Sequence, residues 1–195
     1  MDRPGKNYVS SGQLVRDLDA LALPAQKVDH ALFANANLAE LLAEHDDAAR
    51  DELVALAKLV DEPALATLPY VELNVGYTAE GDVGEDLPEL FEEPAALEQV
   101  RGAIGIADVR RNSLHCFLNP DGTVQALERG ASWEWQTATF PDVGTFLWTL
   151  VHGAAAERDP ALVAPYQAIV ADLGIRDAAR SADVPSRVLP PSEDD

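Results

Sequence analysis

Apolar residues recur at helical spacing in the first third of the chain, alternate with polar ones in the middle, and return to helical spacing in the last third. Ser10 and Gln13 read as a capping box ahead of Leu14, Val15, Leu18 and Leu21 on one helical face, and Pro24 ends that run. Residues 25–36 keep no single period. Asn37 with Glu40 predicts a cap for a short helix through Leu41 and Leu42. Asp46 or Asp47 then opens a clearer helix, with Leu53, Val54, Ala57 and Val60 at helical spacing and Pro63 as its stop.

At 70–77 the period falls to two: Val71, Leu73, Val75 and Tyr77 alternate with Glu72, Asn74 and Gly76, the pattern of a strand with one buried face. An acidic loop follows, with a helical turn near 87–91 and a short helix around 95–100. Residues 103–139 read as a run of strands. Ile104 and Ile106 share a face, as do Leu114, Cys116 and Leu118. Asn119-Pro120-Asp121-Gly122 is a strong turn, because proline presets its second position and glycine accepts a positive φ at its end. The strand at 123–128 then returns antiparallel, Arg129-Gly130 turns again, and 132–139 forms the last strand; connections this short join antiparallel neighbours. Beyond Pro141 and Asp142, Val143, Leu147, Leu150 and Val151 form a helical face. Asp159-Pro160 starts another helix, with Leu162, Val163, Tyr166, Ile169, Val170 and Leu173 apolar and Gly174 as its stop.

Helices, then a strand meander, then helices predict an α+β fold: an antiparallel sheet of about five strands flanked by helices. One domain spans 1–180, with a helical N-terminal part at about 10–62, the sheet at about 69–139 and C-terminal helices at about 141–174. The proline-containing end, 181–195, reads as a disordered tail. A chain of 195 residues is long enough for a real core, and its 47% apolar content is that of a folded protein.

Charge changes the picture most. The chain carries 34 Asp and Glu against 14 Lys and Arg, a formal net charge of −20. Residues 59–100 hold eleven acids and no Lys or Arg, so that segment alone carries −11. The other 23 acids and 14 bases leave −9. Such a surface repels phosphate backbones and anionic lipid, which argues against nucleic-acid and membrane partners, and attracts basic proteins. No apolar run reaches the length of a membrane span, and the first residues lack the apolar core of a signal peptide. The single cysteine, Cys116, has no internal disulfide partner. These features predict a cytoplasmic protein.

Catalytic chemistry has little support. His30, His45, His115 and His152 show no ligand spacing, and His115 and Cys116 are adjacent on a strand, pointing to opposite faces. Ser113 lacks a nucleophile-elbow context, and the Gly102-x-x-Gly105 glycines lie in a strand pattern with no helix behind them. The expectation is no catalytic residue, no metal and no cofactor. Trp133-Glu134-Trp135 places both indoles on one strand face, either under a helix in the core or as an exposed anchor pair. The base-free segment reads either as a solvated loop or as a docking surface for a basic partner.

The stretch from about 69 to 150 resembles the SUKH superfamily of bacterial immunity proteins, closest to its fourth subgroup. The resemblance rests on Leu68-Pro69 before a strand, the acidic loop with Leu87-Pro88, and Ile104-Gly105-Ile106-Ala107-Asp108. It continues through the strand 114–118 into Asn119-Pro120-Asp121-Gly122-Thr123-Val124, and ends in the helix holding Phe146 and Leu150. It implies a non-enzymatic protein that binds and neutralises a cognate, basic polymorphic toxin such as a nuclease or deaminase. The residues expected to meet that partner are Glu80, Asp82, Glu85, Asp86, Glu89, Glu92 and Glu93, with Trp133 and Trp135 as anchors. A regulatory or scaffolding adaptor without a toxin is the alternative, and a small-molecule binder or enzyme a third.

Overall fold

Alternating positions in the middle of the chain become a sheet, and the stretches with helical spacing on either side of it become helices. The computed structural model describes residues 1–5, 7–25, 31–32, 42–43, 48–60, 62–69, 71–78, 102–109, 114–129 and 135–177. Among these are α1 (Gln13–Leu21), α2 (Ala48–Leu59), α3 (Val143–Arg158) and α4 (Val163–Val170). The strands are β1 (Ala31–Leu32), β2 (Val71–Thr78), β3 (Ile104–Val109), β4 (Leu114–Leu118), β5 (Val124–Arg129), β6 (Trp135–Phe140) and β7 (Arg176–Asp177). The five longer strands, β2 to β6, pair antiparallel in chain order, which is the α+β meander that the periodicity predicts. Two-residue strands extend it, β1 parallel to β2 and β7 antiparallel to β6. No helix among the described residues is long and apolar enough to cross a membrane.

One face of the sheet carries the core. Val71, Leu73 and Val75 of β2 join Cys116 and Leu118 of β4 and Val124 and Ala126 of β5 in a single buried cluster with the helices. On β3 the register slips by one residue between Gly105 and Ala107, so Ile106 and Ala107 are both buried in that cluster. A second slip, between Leu73 and Tyr77 of β2, interrupts the alternation read through Tyr77. Phe117, paired with Gly105, is also fully buried but is not part of this cluster. The β4–β5 turn forms as its sequence demands: the Asn119 and Gly122 N–H groups donate to the Thr123 and Asn119 carbonyls at 2.8 and 2.9 Å, with Gly122 at φ 84°.

Helix α3 is the centre of the molecule. Every residue from Val143 to Ala156 is buried, and His152 is the one titratable side chain among them. The expected face of Val143, Leu147, Leu150 and Val151 is thus part of a helix covered all round, as its lack of charge requires. Asp142 caps it, accepting from the Thr145 N–H at 2.5 Å. Phe146 meets Phe140 of β6 edge to face, with centroids 5.3 Å apart. Trp148 stacks on Tyr166 of α4, with centroids at 5.8 Å, and donates its indole N–H to the Asp2 carbonyl at 2.9 Å.

Three expectations about the other helices are corrected. The Ser10–Gln13 capping box does not form: Gly12 precedes α1, and no side chain caps it. Gln13 instead accepts from the Gly5 N–H at 3.4 Å and donates to the Arg3 carbonyl at 3.5 Å, holding the N-terminal segment. On α2 the fully buried face is Ala49, Leu53, Leu56 and Leu59, while Val54, Ala57 and Val60 are half-buried. On α4, Tyr166 and Val170 are buried but Val163 is exposed at 37%, because a short 3₁₀ turn at Pro160–Leu162 precedes the helix and sets its phase. The expected helices at 87–91 and 95–100, most of the 37–42 helix, and the 181–195 tail fall outside the described residues.

Tyr8 and Gly144 fit each other tightly. A Cβ added at Gly144 would stand 2.9 Å from the Cβ of Tyr8, an atom fixed to the backbone that cannot swing away. Gly144→Ala is expected to destabilise the protein by about 1–3 kcal/mol through overpacking. Urea denaturation checks this, and an unchanged midpoint would contradict the contact.

Candidate functional site

The order of strands assigns each connection to an end of the sheet. Thr78 pairs with Ile104, Ile104 with Leu118, Leu118 with Val124, and Val124 with Phe140. The β2–β3 connection, the β4–β5 turn and the start of α3 therefore share one end. That connection contains Glu80, Asp82, Glu85, Asp86, Glu89, Glu92 and Glu93, all outside the described residues. Its two ends are held side by side by the Thr78–Ile104 pair.

Other acids gather at this same end. Ala48, at the N-terminus of α2, lies against the β4–β5 turn: a Cβ on Gly122 would meet the Ala48 Cβ at 3.2 Å. This brings Asp51 and Glu52, in the first two turns of α2, to Asp142 at the start of α3 and places Asp121 on the adjoining turn. Burial, then the charges of Asp142 and Asp51, push the Glu52 carboxyl up to about 7. The Thr123 hydroxyl, 2.6 Å from Asp121 Oδ1, and the Thr123 N–H at 3.0 Å hold the Asp121 carboxyl below its usual range. Two bases among the described residues share the neighbourhood. Arg50 donates to the Leu42 carbonyl, and the charge of Arg176 reaches Asp121. A pocket of about 60 Å³ opens here, lined by Asn7, Ser10, Asp51, Glu52 and Gly144 among others.

The aromatic pair belongs elsewhere in the topology. Arg129 pairs with Trp135, so the β5–β6 connection holding Trp133 attaches at the opposite end of the sheet. Six residues of β5 separate the two ends, roughly 20 Å at strand rise. Trp133 itself and the side chain of Trp135 lie outside the described residues. The acids and the tryptophans, grouped as one partner surface from sequence, are thus tethered at different ends.

Cys116 is buried in the core. Half-buried His115 stands next to it, paired in register with Asp108 and Leu127. No group of three or more His, Cys, Asp or Glu among the described residues is arranged to hold a metal ion. Sequence reading missed one polar cluster. Asp17 Oδ2 on α1 receives the Tyr8 hydroxyl at 2.9 Å and lies 3.1 Å from His152 Nε2 on α3. The partners are 135 residues apart, and neither sits in a motif. The clue available was a histidine inside the otherwise charge-free run Val143–Ala156. Burial, then Asp17, pushes the Tyr8 hydroxyl far above its usual range.

No family model, curated protein or solved structure matches the chain.

Glu52 supplies a pH signature for the acidic end. Its folded carboxyl titrates near 7 against an ordinary 4.5, so the fold keeps a proton that the unfolded chain releases. That contribution is complete below 4.5 and is lost as pH rises through 7. Glu52→Gln, which cannot ionise, is expected to be more stable than the parent at pH 8 and equal to it near pH 4.5. The gain is on the order of 1 kcal/mol, discounted because the carboxyl is partly solvated. Urea midpoints at the two pH values check it, and an equal or lower midpoint for the variant at pH 8 would contradict the crowding of charge.

Proposed function

We propose that the chain is a non-catalytic binding protein whose acidic end docks a basic protein, acting in the cytoplasm as an immunity factor that neutralises a cognate toxin. The observation that carries this reading is where the acidic connection is tethered. It leaves β2 at Thr78 and joins β3 by Ile104, paired residues at the end where Asp51, Glu52, Asp121 and Asp142 also lie. Negative charge concentrated on one end speeds encounter with a basic partner and penalises acidic ones. A toxin that acts on nucleic acid carries a basic cleft for phosphate, and an acidic ridge can fill that cleft. The SUKH resemblance supports the same reading from fold-forming residues. The pocket that the described residues Asp51, Glu52 and Gly144 help to line, about 60 Å³, is below the roughly 300 Å³ of small-molecule sites.

Co-purification with the basic protein encoded beside its gene tests the reading. The charge reversal Glu85→Lys, Asp86→Lys, Glu89→Lys is expected to weaken that complex at least tenfold, and raising salt is expected to weaken the parent complex. Unchanged affinity after reversal would remove the acidic surface from the mechanism.

A further inference from the structure

The N-terminal segment is strapped across α3 and α4 by ties that are individually weak. Trp148 donates to the Asp2 carbonyl, Gln13 makes two long hydrogen bonds to Arg3 and Gly5, and Arg3 forms an exposed ion pair with Asp172. Beneath this strap Trp148 is fully buried, between the His152 ring at 4.6 Å and the Tyr166 ring. The firmest polar junction is the Asp17 carboxylate, which joins Tyr8 of the N-terminal segment to His152 of α3.

A carboxylate only accepts, so the hydrogen between Asp17 and His152 belongs to Nε2 of the imidazole. The other ring nitrogen, Nδ1, is buried and has no hydrogen-bond partner among the described residues. Neutral His152, 5% exposed, therefore satisfies the site with a bare lone pair at Nδ1. Protonated His152 would bury a charged N–H with no acceptor.

We propose that the Tyr8–Asp17–His152 junction is an acid-sensitive latch: protonation of His152 loosens the N-terminal segment from α3 and uncovers Trp148. The groups facing the imidazole set the balance. Asp17 of α1 and Asp2 of the strap favour the proton, while burial and the Met1 amino group disfavour it. Burial is the largest of these and holds the ring below its ordinary 6.5. Tyr8 contributes a hydroxyl that stays protonated throughout. On α4, Tyr166 stays protonated too, and in the turn after it Asp172 is engaged by Arg3. Glu52 lies across the pocket that Tyr8 helps to line. A ring whose folded pKa is depressed stabilises the closed latch above the unfolded value and withdraws that support as pH falls below it.

The experiment follows acrylamide quenching of Trp148 in a Trp133→Phe, Trp135→Phe background, where it is the sole tryptophan. Between pH 8 and pH 5 the quenching constant is expected to rise several-fold while far-UV circular dichroism is retained. His152→Gln keeps an N–H donor for Asp17 without a titration in this range, and is expected to stay shielded throughout. An equal rise in His152→Gln, or no rise in the parent background, would overturn the latch. Should His152→Gln fail to fold, NMR titration of His152 in the parent background decides the matter. A pKa below 6.5 that coincides with the quenching midpoint supports the latch; a pKa at or above 6.5, or midpoints a full pH unit apart, overturns it.

Discussion

Burial of α3 on every side is the constraint on which the rest of this structure depends. A helix with fourteen consecutive buried residues cannot be satisfied by one sheet face. It needs β6 beneath it, α1 and α4 beside it, and the N-terminal segment over Trp148. Each large side chain buried this way contributes roughly 1.5–3 kcal/mol, so this helix draws the ends of the chain onto the sheet. Its polar groups are met inside the same packing: the Thr149 hydroxyl donates to the Thr145 carbonyl at 2.8 Å, and the Trp148 indole reaches Asp2.

The same constraint organises the charge. Because α3 starts directly after β6, its N-cap Asp142 stands at the end of the sheet where β2 hands over to β3. Packing of α2 against the β4–β5 turn adds Asp51 and Glu52. Carboxylates from distant parts of the sequence therefore meet at the base of the most acidic connection. Glu52 gives up its ordinary acidity to stay there. Such crowding opposes folding, and a basic partner at this end would relieve it.

Much of this was legible in the sequence, for physical reasons. Alternation in 71–75, 104–106 and 114–118 and the Asn119–Gly122 turn encode a meander locally, so its strands and their order could be read directly. The register slip that buries Ile106 and Ala107 together was not legible, because it depends on the neighbouring strand. Nor were β1 and β7, whose two residues carry no period. In α3 the absence of charge from Val143 to Ala156 is a stronger signal than the spacing of one apolar face. Gln13 has the spacing of a local cap, but tertiary contact turns it toward Arg3 and Gly5. The acidic segment is visible as composition, but that its connection is tethered at one end of the sheet, and the connection holding Trp133 at the other, follows only from strand pairing.

A partner that recognises this protein by charge should meet the end where the acidic connection is tethered and Asp51, Glu52, Asp121 and Asp142 lie. Amide hydrogen exchange of the chain, alone and in complex with a basic protein that co-purifies with it, maps that contact directly. Protection confined to 79–103, the first turns of α2 and the β4–β5 turn is the predicted result. Protection centred instead on 110–113 and 130–134, at the opposite end of the sheet, would contradict the account.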